Sequence, residues 1–586
     1  MKKILFILSL AALGLVSCEM DHYRTDTMTS AQLKDDPGAA VYTTDGVYSL
    51  FKDELQYKGN YSSGNTYMRH YFQMSEYRAD NVVLSGITED PFYGAFQYSD
   101  DGTMKNNQGF WWLAYRIIYG ANSNIEVIDE NASAEAAHMK GENYFMRAIA
   151  HFNLVNIFAK PLSCGEGNPG VVLRTSTDCS VTERATVGQV YAQVVEDLKE
   201  AARLMKGGTR RGDNGYISWE AAMGLLSRVY LYMGENELVI STINELLTGS
   251  PTNKGNIAAM LEEGKDYATV FSDSRTSKEV LWCIALTETE DYGTGSIGSM
   301  YYSPNGEGGI GWGEHYYSDP LLELFERYPE DLRHKAIFVH YDTLDDGKAM
   351  VHWAIDEGNE YRVPAHVKNV EKNEDGKWAF KYGGKDYVVE QKDKNNDGYM
   401  EDYIHGTPEA AEADSDGDVK VHVSKNCGVK GLRNNTFPVY MSKKFSNQNG
   451  NSNLCSPVML RWGELVLNRA EAYAKTGATA DALADINVIR KRAGIEEWNY
   501  TKDGEVMHKW EDHGYKDLVD LVLTERRMEL CFEGQRAFDV WRNQMQMDRR
   551  FVGLNTWEIV DYTDNRIPFQ IPQDEIYASG IQQNPR

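Results

Sequence analysis

The chain lacks the compact signatures of common catalysis: it contains no HExxH, no GxSxG nucleophile elbow and no Walker A phosphate loop. Its seven cysteines show neither CxxC nor Cys/His spacing, which argues against a spacing-defined zinc site. Cys164 and Cys179 are close enough in sequence to pair, and spacing alone leaves that open. Positive charge is scarce. The formal net charge is −27 and the pI about 5.0, which argues against nucleic acid as a partner. The apolar run from Ile4 to Val16 is well short of the ~20 residues that span a bilayer.

Tyrosine and tryptophan, by contrast, are plentiful. The 36 Tyr and 12 Trp are flat amphipathic side chains, suited both to sugar stacking and to core filling. At 586 residues there is room for several domains, or for one repeat array with insertions.

The N-terminus reads as a secretory leader. Lys2 and Lys3 precede the apolar run, and Leu15-Val16-Ser17-Cys18 resembles the bacterial lipobox, in which cleavage leaves an acylated cysteine. Two or more acyl chains on Cys18 would give a stable membrane anchor. Glu19 and Asp21 resemble a surface-export signal, and residues 19–37 read as a polar tether.

The rest of the chain is organised around residues 458–542. Tyr473-x3-Gly477-x4-Ala482-x3-Ile486 carries the helix-turn-helix spacing of a tetratricopeptide repeat, and Tyr230-x3-Gly234-x4-Val239-x3-Ile243 repeats it. Arg147-Ala148-x-Ala150-His151 echoes Arg469-Ala470-x-Ala472-Tyr473. Further on, Glu525, Glu529 and Glu533 stand at i, i+4 and i+8 of an expected helix. They read as a ladder neutralised by Arg526, Arg527 and Arg536, or as a carboxylate site for metal or acid–base chemistry. No histidine accompanies them on that face, which favours the structural reading.

ERRMELCFEGQRAFDVWR and RWGELVLNRAEAYAKTG closely resemble the C-terminal signature of the RagB/SusD family. MRHYFQMSEYRADNVV, the Pro161-Leu162 helix exit, Asp331-x-Arg333 and the closing NRIPFQIPQDEIYASGIQQNPR resemble other landmarks of that family. The resemblance implies a mainly α fold, with tetratricopeptide-like helix pairs carrying long irregular loops and a small mixed strand/loop insertion. It implies a binding lipoprotein of the outer membrane and cell surface, not an enzyme. Such a protein would capture oligosaccharide and deliver it to a SusC-like TonB-dependent transporter. Capture of peptides is the alternative within the binding class. A surface glycoside hydrolase is the alternative from another class, with its carboxylate pair assembled from distant residues.

The expected organisation is a signal peptide at 1–17, an acylated Cys18 and tether at 18–37, and a helical region with ligand-side loops at 38–340. An acidic strand-and-loop insertion at 341–436 and a C-terminal helical region at 437–586 follow. Ligand-contacting aromatics are expected on irregular segments, because helical ones are committed to packing. Phe92–Tyr98 is one such segment. The other is a glycine-rich loop displaying Tyr301, Tyr302, Trp312, Tyr316 and Tyr317. Trp312 ranks first, then Tyr301, Tyr302, Tyr316 and Tyr93. Gly293-x-Gly295-x-x-Gly298 has the dinucleotide spacing, but phosphate binding needs a helix N-terminus after the glycines, and Ser303-Pro304-Asn305-Gly306 follows instead. No cofactor is required. Asp393, Asn395, Asp397 and Glu401 resemble the first nine positions of a calcium loop, with Ile404 where the bidentate Glu should stand and Asp414, Asp416 and Asp418 nearby.

Overall fold

The computed structural model describes residues 39–54, 66–84, 92–249, 255–290, 292–303, 311–339, 344–353, 365–394, 396, 400–408, 413–427, 440–499, 509–551, 556 and 558–586, with the backbone of 429–432 and 435–438. Cys18 with its leader and tether, and Asn395 and Asp397 of the calcium-like loop, lie outside the described residues. The fold is mainly α, about 47% helical, as expected. The principal helices are α1 (Ala39–Ser49), α2 (Tyr67–Glu76), α3 (Lys105–Val127), α4 (Ala134–Phe158), α5 (Val187–Met205), α6 (Trp219–Met233), α7 (Asn236–Gly249), α8 (Trp462–Thr476), α9 (Thr479–Ala493), α10 (Leu518–Glu529) and α11 (Arg536–Arg542).

Both repeat matches form the antiparallel helix pairs that their spacing predicts. Gly234 ends α6 at φ +78°, where Gly234 and Glu235 donate their N–H groups back to Leu231 and Tyr230. Gly477 ends α8 at φ +80°, with the same bonds to Ala474 and Tyr473. Only glycine enters this left-handed cap without strain, so it sets where each hairpin turns. The echoed arginines repeat a clamp. Arg147 of α4 grips Asp197 of α5 through two bonds of 2.8 and 2.5 Å, and Arg469 of α8 grips Asp485 of α9 at 2.8 and 2.7 Å. The two pairs are tied together where Arg228 of α6 meets Glu464 of α8 at 2.6 Å, both buried.

Val280–Cys283 is a buried strand and pairs antiparallel with Val458–Arg461, so Leu460 belongs to a strand that leads into α8 and not to that helix. Strand structure otherwise concentrates between 349 and 438. A five-stranded sheet there runs in the order 422–424, 349–353, 365–372, 378–382, 385–388, next to a three-stranded sheet of 390–392, 401–405 and 418–420. This region has its own apolar cluster, centred on Val351, Trp353, Ile404 and Val421.

The helix expected to carry all three glutamates breaks. α10 ends at Glu529, and a turn through Phe532 (φ +68°) and Gly534 (φ +71°) leads to α11. Glu533 therefore stands off the helical face that holds Glu525 and Glu529.

Candidate ligand ledge and the clefts around it

The glycine-rich stretch is more ordered than the sequence suggests. Ile297–Tyr301 forms a short helix capped by Ser296, whose Oγ accepts the Ser299 N–H at 3.2 Å. His315–Tyr317 is a strand paired with Val82–Leu84, Val83 opposite Tyr316 and Val82 opposite Tyr317. Gly298 serves packing: a Cβ there would lie 2.2 Å from the Phe445 carbonyl oxygen.

Three of the displayed aromatics are consequently core residues. Tyr301, Tyr316 and Tyr317 are buried. The Tyr301 ring packs within 5.2 Å of Phe445 and Phe532 and edge-on to His315. Burial holds the Tyr301 hydroxyl far above its usual pKa. The expectation that Tyr301 and Tyr316 offer a ring face to a ligand is corrected by this packing. Tyr93 is half-buried at the start of a single turn, stacked on Phe96 with its hydroxyl accepting from Gln97 Nε2 at 2.8 Å. Its neighbours Phe92, Phe96 and Tyr98 are buried, so that segment too is pinned to the scaffold.

Trp312 differs from all of these. Among the described residues it is the one tryptophan classed as exposed, with 39% of its surface open. Its backbone is nevertheless fixed on both sides. A Cβ on Gly311 would meet the Tyr302 carbonyl oxygen at 2.3 Å, and one on Gly313 the Met441 methyl at 2.6 Å. Gly313 sits at φ +57° and donates its N–H to Ser299 O at 2.7 Å, while Glu314 N–H reaches Met300 O at 2.9 Å. The glycines let the chain press against the short helix, and Trp312 keeps 39% of its surface open. Half-buried Tyr302 lies under the Lys443 ammonium, 5.5 Å from its ring centre. Asn453 Oδ1 approaches Gly311, and Arg69 anchors the approach through Gly295 O at 3.2 Å. The result is an aromatic ledge near hydroxyl, ammonium and amide groups, which can stack a flat apolar face and bond its polar edge.

A concavity of about 260 Å³ lies apart in sequence, between α1 and residues 213–216 and 282–287. Tyr48 and Tyr216 meet edge to face at 5.5 Å on its wall, with Asp45, Lys52, Arg275 and Trp282 around them. Sequence reading missed it because its walls come from separate stretches of chain, residues 45–52, 213–216 and 275–287.

The glutamates are structural. Glu525 is bound by Arg333 at 2.6 Å and Arg490 at 3.0 Å, and Glu529 by Arg461 at 2.6 Å and Arg492 at 2.5 Å. Glu533 is bound by Arg461 at 2.8 Å and Lys444 at 2.6 Å. Burial alone would raise the Glu529 carboxyl, yet Arg492, Arg461 and Arg333 hold it well below the usual carboxylate range. The neutralising partners are not those expected from sequence. Arg527 and Arg536 instead hold Asp80, while Arg526 bonds Asp539 and Asn468.

The calcium-like loop is only partly described. Glu401 starts a strand and is buried, with its carboxylate held by Lys420 and by the Tyr403 hydroxyl at 2.8 Å, which commits it to protein partners. Asp414, Asp416 and Asp418 converge, with Lys394 Nζ among them at 2.5 Å from both Asp414 and Asp418. Cys164 and Cys179 are both free thiols, not a disulfide.

The comparisons with known proteins agree with this architecture. The SusD family profile matches residues 278–586, and a second profile, described as starch-binding associating with outer membrane, matches 24–231. The chain belongs to the SusD family. SusD-like protein P38 of Formosa agariphila is 22% identical over 497 residues, covering 82% of this chain and 81% of its own. A SusD superfamily crystal structure from Bacteroides thetaiotaomicron is 24% identical with a TM-score of 0.63, covering 93% and 99% of the two chains. A solved structure described as a laminarin-binding SusD-like protein is 18% identical, with a TM-score of 0.57 over 93% and 98%. At these identities the structural likenesses establish the fold.

Proposed function

We propose that this protein is a cell-surface glycan-binding lipoprotein, held at the outer membrane through Cys18, that captures oligosaccharide and passes it to a SusC-like TonB-dependent transporter. The observation that carries the binding role is Trp312, an exposed indole on a backbone locked by Gly311 and Gly313. An indole with 39% of its surface open can stack a sugar's C–H face. Membership of the SusD family supports the reading, as does a laminarin-binding neighbour with the same fold. Among the described residues no helix is long and apolar enough to cross a membrane. Attachment through acyl chains on Cys18 is supported by the lipobox-like Leu15-Val16-Ser17-Cys18. The role is binding without turnover: the sequence carries no compact catalytic motif, and the glutamate ladder is bound by arginines and Lys444.

Trp312→Ala against wild type tests the ledge, by affinity electrophoresis in laminarin and starch gels together with thermal melting. Removing a stacking aromatic is expected to weaken binding by about tenfold to a hundredfold, by analogy with bases stacked on aromatics at about 1–3 kcal/mol each. The melting temperature should hardly move. Unchanged retardation in a gel that retards wild type would take the ligand away from Trp312. Release of reducing ends from either polysaccharide by pure protein would reassign the class to a hydrolase.

A further inference from the structure

The register of the five-stranded sheet sets three histidines side by side. His422 lies opposite His352, and His352 lies opposite His366, so all three share one face across adjacent strands. Sequence spacing could not show this, because the three come from separate strands. The His422 end of this row faces the helix Asp319–Glu326, where Asp319 Oδ2 is 3.6 Å from His422 Nδ1. Between helix and sheet lies a cleft of about 110 Å³, walled by Asp319, Glu323, Glu326, His352, Asp402 and His422.

We propose that His352 and His422, with Asp319 as third donor, bind a first-row transition-metal dication of the zinc class. His352 is the observation that points to a ligand. It is 92% buried from its 8% relative exposure, lines the cleft, and its imidazole makes no hydrogen bond to any described residue. Its one ring contact is with His422, whose ring centre is 5.1 Å away. Two imidazoles that share a tetrahedral ion at metal–nitrogen distances of about 2.0–2.1 Å have ring centres about 5 Å apart. The ring spacing of the pair admits one shared ion, whereas the Asp319 carboxylate does not converge on both rings as they stand and must turn from His422 toward it.

Donor type selects the metal. Two imidazole nitrogens and one carboxylate suit zinc, nickel or cobalt, whereas calcium and magnesium take oxygen donors. The remaining wall is anionic, from Glu323, Glu326, Glu401 and Asp402, with Lys420 opposing them from a bond to Glu401. That field favours a dication.

The test is calorimetric titration of the chelator-treated full chain with zinc chloride, beside His352→Gln and His422→Gln, with melting curves of each. The expected result is one zinc per chain in wild type and a zinc-dependent rise in melting temperature. In each variant binding should be at least about tenfold weaker, with a metal-free melting temperature close to wild type. Cobalt should give visible absorption in wild type and lose it in both variants. Asp414→Asn/Asp416→Asn should bind zinc as wild type does, which separates this cleft from the exposed aspartates. Absence of heat in wild type, or variants that bind as tightly, would overturn the site. Should His352→Gln fail to fold, His422→Gln decides, since its side chain keeps 21% of its surface exposed.

Discussion

Arg461 Nη1 lies 2.6 Å from Glu529 Oε1, and neither side chain has any exposed surface. Arg461 also holds Glu533 and Glu279, so one guanidinium ties the strand entering α8 to α10, to the turn after it, and to the strand beginning at Val280. Buried pairs contribute little over an apolar replacement, but breaking one strands a charge.

Glu529→Ala should therefore destabilise the protein by about 3–5 kcal/mol in urea unfolding, since Arg461, Arg492 and Arg333 lose a shared counter-charge. Glu245→Ala, which removes the solvent-exposed partner of Lys206, should cost no more than about 1 kcal/mol. Equal costs would mean that the network is not where the fold's electrostatic stability resides. The Glu529 contribution also has a pH sign. Its folded pKa is depressed, so stability is present above the unfolded value of about 4.3 and is lost as pH falls below it.

Glu76 should behave in the opposite sense. Burial, opposed by the Gly534 N–H and by Lys444, raises its pKa to about 7, and Oε2 has no hydrogen-bond partner. The folded state then binds the proton more tightly than the unfolded one, so stability falls as pH rises from about 4.5 through 7. Glu76→Gln keeps an oxygen for Gly534 and removes the charge. It should raise stability at pH 8 by up to about 3 kcal/mol and change little at pH 4.5. A variant less stable than wild type at pH 8 would show that the charged form is the one the fold prefers.

Local rules carried the helical scaffold and stopped where partners are distant. Gly234 and Gly477 were legible as hairpin ends because a left-handed cap is a property of one residue and its neighbours. Trp312 is exposed on the irregular, glycine-rich segment where the sequence expects it. Tyr301 and Tyr316 were misplaced because glycine and serine around them suggested a loop, while their burial depends on Phe445, Phe532 and the strand at 82–84. Spacing put Glu533 on one face with Glu529, whereas Phe532 at φ +68° ends that helix. Arg333 bonds Glu525 across 192 residues of sequence, a separation no periodicity reports.

Two glycines separate conformational from steric cost. Gly234→Ala forces a side chain into φ +78° but finds open space, so the loss should be about 1–2 kcal/mol. Gly298→Ala would drive its Cβ to 2.2 Å from Phe445 O and 2.7 Å from Asn453 O, both backbone atoms. It should cost more than Gly234→Ala and disturb the Trp312 ledge as well. Thermal melts of both, with glycan retardation for the second, check this ordering. A Gly298→Ala variant as stable as wild type would show that the short helix can shift without loss.

Lys394 decides how the acidic loop meets calcium. Its ammonium stands 2.5 Å from Asp414 and Asp418 and 3.4 Å from Asp416, where a cation would sit, and Glu401 is held by Lys420. A calcium ion has to displace one lysine and lacks the bidentate glutamate of a high-affinity loop, so wild-type affinity should be no tighter than about millimolar. Lys394→Gln removes the competitor and keeps the chain length near Asp414. It should tighten calcium binding measurably in a calorimetric titration, and Asp414→Asn in the same background should reverse the gain. Tight binding by wild type would mean that Lys394 swings away at little cost. Unaltered weak binding in Lys394→Gln would mean that the three aspartates are a solvated turn with no affinity for the ion.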